Sequence, residues 1–153
     1  MVYLNKYFFL ILCLTAVPLF AQSPRSHSTA AEIETLLNAK TVTYAQAARF
    51  VLEAANTLAT DNHVEAFDYA LQQDWLSKKL SPNDSAQLNN ISLLLMRSFN
   101  IKGGIMYTLT KSPRYAYREL VYLNVIQNRS DPSVFVSGEQ LLYYINRILA
   151  MEN

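Results

Sequence analysis

The sequence predicts an all-α protein: stacked helix–loop–helix units forming one small domain. Three observations predict it. From residue 43 onward apolar side chains recur at spacings of three and four, and no stretch alternates long enough to argue for a sheet. Hydroxyl or carboxyl residues stand three before Gln at helix starts: Thr43–Gln46, Asp84–Gln87 and Ser137–Gln140. A Pro-containing polar loop, followed by an apolar helix with an Arg near its end, occurs twice. It reads "LSPNDSAQLNNISLLLMRSF" from Leu80 and "RSDPSVFVSGEQLLYYINRIL" from Arg129.

The first residues set the expected compartment. "MVYLNKYFFLILCLTAVPLFAQ" has one early cation, Lys6, then an apolar run to Phe20, then Pro18 and Ala21 at its end. That is the order of a secretory signal peptide cut after Ala21. The run is shorter than the roughly 20 residues a membrane span needs. Residues 1–21 are therefore expected to leave as a signal peptide, 22–30 to form a disordered leader, and 31–153 to form the repeat domain. Cys13, the only cysteine, would depart with the signal, so the mature chain would hold neither disulfides nor thiolate chemistry. Of 13 cations and 12 anions, Lys6 also departs, and the balance that remains offers no electrostatic footprint for nucleic acid.

Along the chain, "AEIETLLNAK" predicts a short helix with Ile33, Leu36 and Leu37 on one side. The next helix carries Ala47, Phe50, Val51 and Ala54 on its apolar face. "DNHVEAFDYALQQDWL" follows, capped by Asp61 or Asn62, with Val64, Phe67, Leu71 and Trp75 as its stripe. "LNNISLLLMRSF" places Leu88, Ile91, Leu95 and Phe99 together, and Gly103-Gly104 is expected to stop it. "GIMYTLT" is either extended or a short helix. Ser112 before Pro113 marks a helix start, with Ala116, Leu120 and Leu123 as the apolar line. The last helix buries Leu141, Tyr144, Ile145 and Ile148.

The units align as a helix with Tyr-Ala near its middle ("AFDYALQQDWL", "YAYRELVYLNVI"), a Pro loop ("SPND", "SDPS"), and a second helix ending "MRSF" or "NRIL". One such pair cannot bury its own apolar face, so stacked pairs share a core. The pattern, from about Val42 to Leu149, resembles the S-layer homology repeats of bacterial cell-envelope proteins. "EAFDYALQQDWLSKKLSPND" is similar to the family's first helix, turn and Pro-Asn-Asp, and "VSGEQLLYYINRIL" to its second helix. The resemblance implies about three repeats packed together, and non-catalytic attachment to cell-wall polysaccharide. The family's sugar-reading Arg matches Tyr44, Leu88 and Gly138 here, and its Glu matches Gln46, Asn90 and Gln140. The scaffold residues thus match better than the ligand residues.

"KSPRYAYRELVY" holds the candidate glycan- or anion-binding group: Lys111, Arg114 and Arg118 as cations, with Tyr117 as the stacking ring. Arg114 and Arg118, four apart, share a helix face. Trp75 and Tyr143 are candidate partner-interface aromatics. The two histidines, His27 and His63, fall in the leader and at a helix start. No zinc-protease, phosphate-loop or nucleophile-elbow motif is present. The reading is an exported, non-catalytic module of the periplasm or cell surface with no cofactor and no metal. It would bind peptidoglycan or an associated cell-wall glycan. The alternative is an envelope adaptor that uses the repeat scaffold to dock another protein.

Overall fold

The computed structural model describes residues 30–127 and 131–152. The expected signal peptide, Cys13, His27 and Arg129 lie outside these residues. Seven helices occupy the described residues: α1 (Ala30–Leu37), α2 (Tyr44–Ala54), α3 (His63–Gln72), α4 (Leu88–Ser98), α5 (Ile105–Thr110), α6 (Pro113–Tyr122) and α7 (Gly138–Glu152). They include no strand, only two isolated antiparallel bridges, Thr43 with Ser85 and Gln87 with Phe135. The domain is all-α, as the periodicity predicts.

The helix starts follow the predicted chemistry at two of three places. Thr43 and Gln46 form a reciprocal capping box on α2, and Ser137 and Gln140 form the same pair of bonds at α7. The Asp84–Gln87 box does not form. The Asp84 carboxylate accepts the Ser81 amide instead, and Gln87 itself is the N-cap of α4, with no side-chain cap bond. The missing acceptor comes from across the molecule. The Tyr44 hydroxyl accepts the Gln87 amide at 3.2 Å and the Asn90 side-chain amide at 2.7 Å. Asn90 stands where the other two starts carry Gln, and the Tyr44 oxygen takes the place of the Gln carbonyl.

The helix ends share one device. Asn56, Asp74, Asn100 and Asn124 adopt left-handed φ between 50° and 57° just after α2, α3, α4 and α6. The following amide returns to the last turn in each case: Thr57 to Leu52, Trp75 to Ala70, Ile101 to Met96 and Val125 to Leu120. These are Schellman caps built on Asn or Asp, the side chains that best tolerate this conformation after Gly. The expectation that Gly103-Gly104 stops α4 is therefore corrected. Asn100 stops it, and no described glycine has positive φ.

The stripes of α4 and α7 are buried as predicted. α2 exceeds its prediction: every residue from Tyr44 to Leu52 except Gln46 is buried, because other helices cover it on several sides. On α3 the face is rotated. Ala66, Phe67 and Ala70 are buried, while Val64 is 48% exposed and Leu71 only half-buried. Alanines at the contact let α3 lie close on α2. On α1 only Leu36 is buried, and Ile33 and Leu37 face outward.

Three segments meet at the centre in a closed cycle of backbone hydrogen bonds. The Val42 amide donates to Val136 (2.9 Å), Val136 to Ala86 (2.9 Å), and Ala86 to Val42 (2.8 Å). All three residues have no exposed surface. Two residues on, each helix start is tied again: Tyr44 to Asp84, Leu88 to Val134, Gly138 to Ala39. α3 packs on α2, α6 on α4, and the short α1 on α7, and α2 also touches α4 and α7. Gly138 sits where α1 arrives. A Cβ there would lie 1.6 Å from the Leu36 carbonyl oxygen, so no other residue fits without moving α1.

Tyr44→Phe is expected to destabilise the fold by about 1–3 kcal/mol, because the half-buried Gln87 amide and Asn90 side chain lose their common acceptor. Urea unfolding checks this; an unchanged midpoint would contradict the role given to the hydroxyl.

Candidate functional site

α5 is an addition to one corner. Eight residues, 55–62, join α2 to α3, whereas fourteen, 99–112, join α4 to α6, and the difference equals the six residues of α5. "GIMYTLT" is thus a helix, and its left-handed end at Lys111 turns the chain into α6. Tyr107 anchors it, only 2% exposed. Gly103 makes room: a Cβ there would lie 2.5 Å from the Tyr107 ring and 3.1 Å from Glu119 Cγ. The role of this glycine is space rather than conformation. Burial pushes the Tyr107 phenol above its usual range, with Arg97 opposing and Glu119 adding to the shift. The Lys111 ammonium lies 5.1 Å over the ring of Tyr107.

The rest of α5 faces solvent. Ile105 is 79%, Leu109 74% and Met106 49% exposed, and Tyr122 on α6 is 80% exposed. Between α5 and α6 lies an open groove of about 570 Å³, lined among others by Lys102, Met106, Tyr115, Arg118, Glu119 and Tyr122. The Arg118 guanidinium sits 5.8 Å over the Tyr115 ring, which holds it along the groove wall. An apolar floor with a cation at its side can take an apolar side chain and a carboxylate together.

The predicted group is partly assembled. Arg118 lines the groove. Arg114 is exposed one turn earlier on α6, outside the lining, and Lys111 is exposed at the α5–α6 corner. Tyr117 is corrected: at 7% exposure it belongs to the core, and its ring has no face open to a sugar. Tyr115 and Tyr122 are the aromatics beside Arg118. Trp75 is half-buried against the core, edge-on to Tyr69 at 6.0 Å, so it packs rather than presents. Tyr143 is 39% exposed, edge-on to Tyr144, and away from the groove. Lys102 and the outward side chains of α5 were not singled out from the sequence. The length difference between the two linkers is the signal that marks them.

A second polar cluster surrounds Arg49, which is 1% exposed. Its guanidinium meets Glu32 of α1 and Asp61 before α3 at 3.3 Å each, and Glu53 at 3.6 Å. Asp61 thus neutralises a buried cation rather than capping α3, and Asn62 supplies the cap through bonds from the Val64 and Glu65 amides. The cluster ties α1, α2 and the α3 entry together. The Arg49 side chain has no exposed surface, while Glu32 and Asp61 are 40% and 74% exposed, so the network turns on the guanidinium rather than on any one carboxylate. Beside it, a cavity of about 190 Å³ opens between α1 and α2, with His63 at its rim. Burial, and then the nearby Arg49 charge, hold the His63 pKa below its ordinary value, with Glu32 opposing. Among the described residues, no group of His, Cys, Asp and Glu could hold a metal ion.

Comparison with protein-family models, curated proteins and solved structures finds no match for this chain.

His63 makes stability depend on pH in a defined direction. Its folded pKa lies below the unfolded value of 6.5, so the unfolded chain takes the proton first as pH falls. Its contribution is complete above 6.5 and is lost as pH drops from there toward the folded pKa. The unfolding free energy of the protein should fall between about pH 8 and about pH 5.5 by more than that of His63→Gln. Parallel profiles for the two proteins would remove His63 from the account.

Proposed function

We propose that this protein is an exported, non-catalytic docking module of the cell envelope. Its working face is the α5–α6 groove, and its partner is a protein surface that offers an apolar side chain beside a carboxylate. The observation that carries this reading is the added helix α5, which holds Ile105, Met106 and Leu109 in solvent, the first two lining one groove with Tyr122, Arg118 and Lys102. Folding gains nothing from that exposure. Fully covering one such side chain is worth about 1.5–3 kcal/mol, which a partner would recover. A carboxylate bound by Arg118 would fix the register of the contact.

Export rests on the order of cation, apolar run and small residue in "MVYLNKYFFLILCLTAVPLFAQ". No described helix is long and apolar enough to cross a membrane. The closed bond cycle at Val42, Ala86 and Val136 supports reading the chain as three helix–loop–helix units of the S-layer homology kind, with α1 as a shortened first helix. A glycan of the wall is the second reading. The placement of Tyr115 and Tyr122 beside Arg118 in one open groove favours it, because sugars stack on such rings. The burial of Tyr117 and the exposed apolar side chains of α5 favour the protein partner.

The test is a photo-crosslinking amino acid in place of Tyr122, in cells that export the protein. The expected result is a protein adduct that disappears when Arg118→Glu is added. Parallel sedimentation of the mature chain with purified walls separates the second reading. Saturable pelleting lost in Arg114→Ala/Arg118→Ala, with no protein adduct, would overturn docking in favour of the glycan.

A further inference from the structure

The groove on α6 has a counterpart on α3 with the opposite charge. α3 starts at His63 and α6 at Pro113, and α4 at Leu88 and α7 at Gly138, so equivalent positions lie fifty residues apart. The correspondence holds in detail: Ala66 and Ala116 are fully buried, and Asp74 and Asn124 both take left-handed φ. A shallow groove of about 390 Å³ on α3 is lined by residues including Val64, Glu65, Asp68, Tyr69 and Gln72. Four of these positions, fifty residues on, are Tyr115, Arg118, Glu119 and Tyr122, which line the α5–α6 groove.

The charges divide between the two faces. Residues 55–72 contain Asp61, Glu65 and Asp68 and no Lys or Arg. Residues 99–122 contain Lys102, Lys111, Arg114 and Arg118 against the single acid Glu119. At matched places Asp61 faces Lys111, and Asp68 faces Arg118, in the fifty-residue correspondence. Asp61 is partly engaged by Arg49, so Glu65 and Asp68 lead the acidic face. Both faces also carry exposed apolar surface: Val64 on α3, and Ile105, Met106, Leu109 and Tyr122 on α5–α6. α3 lies on α2 and α6 on α4, so the two faces belong to different helix pairs.

We infer that the chain associates with itself head to tail, the acidic α3 face of one copy filling the basic α5–α6 groove of the next, with Asp68 meeting Arg118. The inference rests on the docking reading of that groove and names a second copy of this chain as the occupant. Such a contact uses two different patches, so each copy added leaves one acidic and one basic face free. Growth then continues to a ring or an open filament rather than stopping at a two-fold dimer. Opposite fields on the two faces also steer the encounter, and salt weakens it.

The test is sedimentation velocity of the full chain, as processed by the cell, across concentration and salt. The expected result is a mass that rises with concentration past that of two chains and falls with added salt. Asp68→Arg and Arg118→Asp should each abolish assembly with unchanged helical circular dichroism, since both side chains are exposed. The double variant Asp68→Arg/Arg118→Asp should restore it. A monomer at all concentrations, a dimer that grows no further, or failure of the double swap to restore assembly would overturn the inference. The crosslinker at position 122 tells the two failures apart. A monomeric protein that still gives an adduct with another protein loses only self-association, whereas a monomer with no adduct loses the docking groove as well.

Discussion

The fold depends on three backbone hydrogen bonds that close on one another. Val42, Ala86 and Val136 each donate to one neighbour and accept from the other, and none has any contact with water. A buried amide or carbonyl without a partner is costly, so the three segments must be present together. Each one is also the last turn of chain before a helix. Because the second ring of bonds joins Tyr44, Leu88 and Gly138 to the neighbouring segments, the cycle sets where α2, α4 and α7 begin. α3 then packs on α2 and α6 on α4 through their small or buried faces. The three segments differ where α1 joins α7. Fifteen residues, 73–87 and 123–137, precede α4 and α7, but only six, 38–43, precede α2. The shorter path brings the Leu36 carbonyl against Gly138, the one start with no side chain.

The scaffold departs from its own regularity at one corner. The linker after α4 is longer than the one after α2, and the added residues form α5. Tyr107 is the part of α5 that serves folding, and Gly103 makes room for it. Once that ring is seated, a helix of six residues has no further apolar face to bury, and its remaining large side chains stay in water. The charge pattern departs in the same corner. A chain nearly balanced overall gathers cations on α5–α6 and acids on α3, at positions that the backbone makes equivalent. Like structure thus carries opposite charge on the two faces.

Much of the fold was legible because it rests on local chemistry. The boxes at Thr43 and Ser137, the Ser-Pro entry to α6, and the stripes of α4 and α7 all involve residues within one or two helical turns. The misses involve partners distant in sequence. Gln87 could not be read as a cap, because its acceptor is Tyr44, 43 residues away. Arg49 carries no local signal of burial, because Glu32 and Asp61 reach it from other segments. Gly103-Gly104 carried the usual signal of a helix stop, but an Asn in the left-handed conformation had already ended α4. At the site, Arg118 was legible as one of a cationic pair. Tyr117 was misread because aromatic rings at helical spacing do not reveal which of them the core takes; Tyr117 went inside while Tyr115 stayed at the groove.

The central claim is that the three segments form one cooperative closure, and amide hydrogen exchange measures it directly. If the cycle holds the fold, the amides of Val42, Ala86 and Val136 exchange only through global unfolding, with matching protection equal to the stability from denaturant titration. Independent exchange of any one of them, at a free energy well below that of the other two, would show that the segment opens alone and that the fold is not held at this cycle.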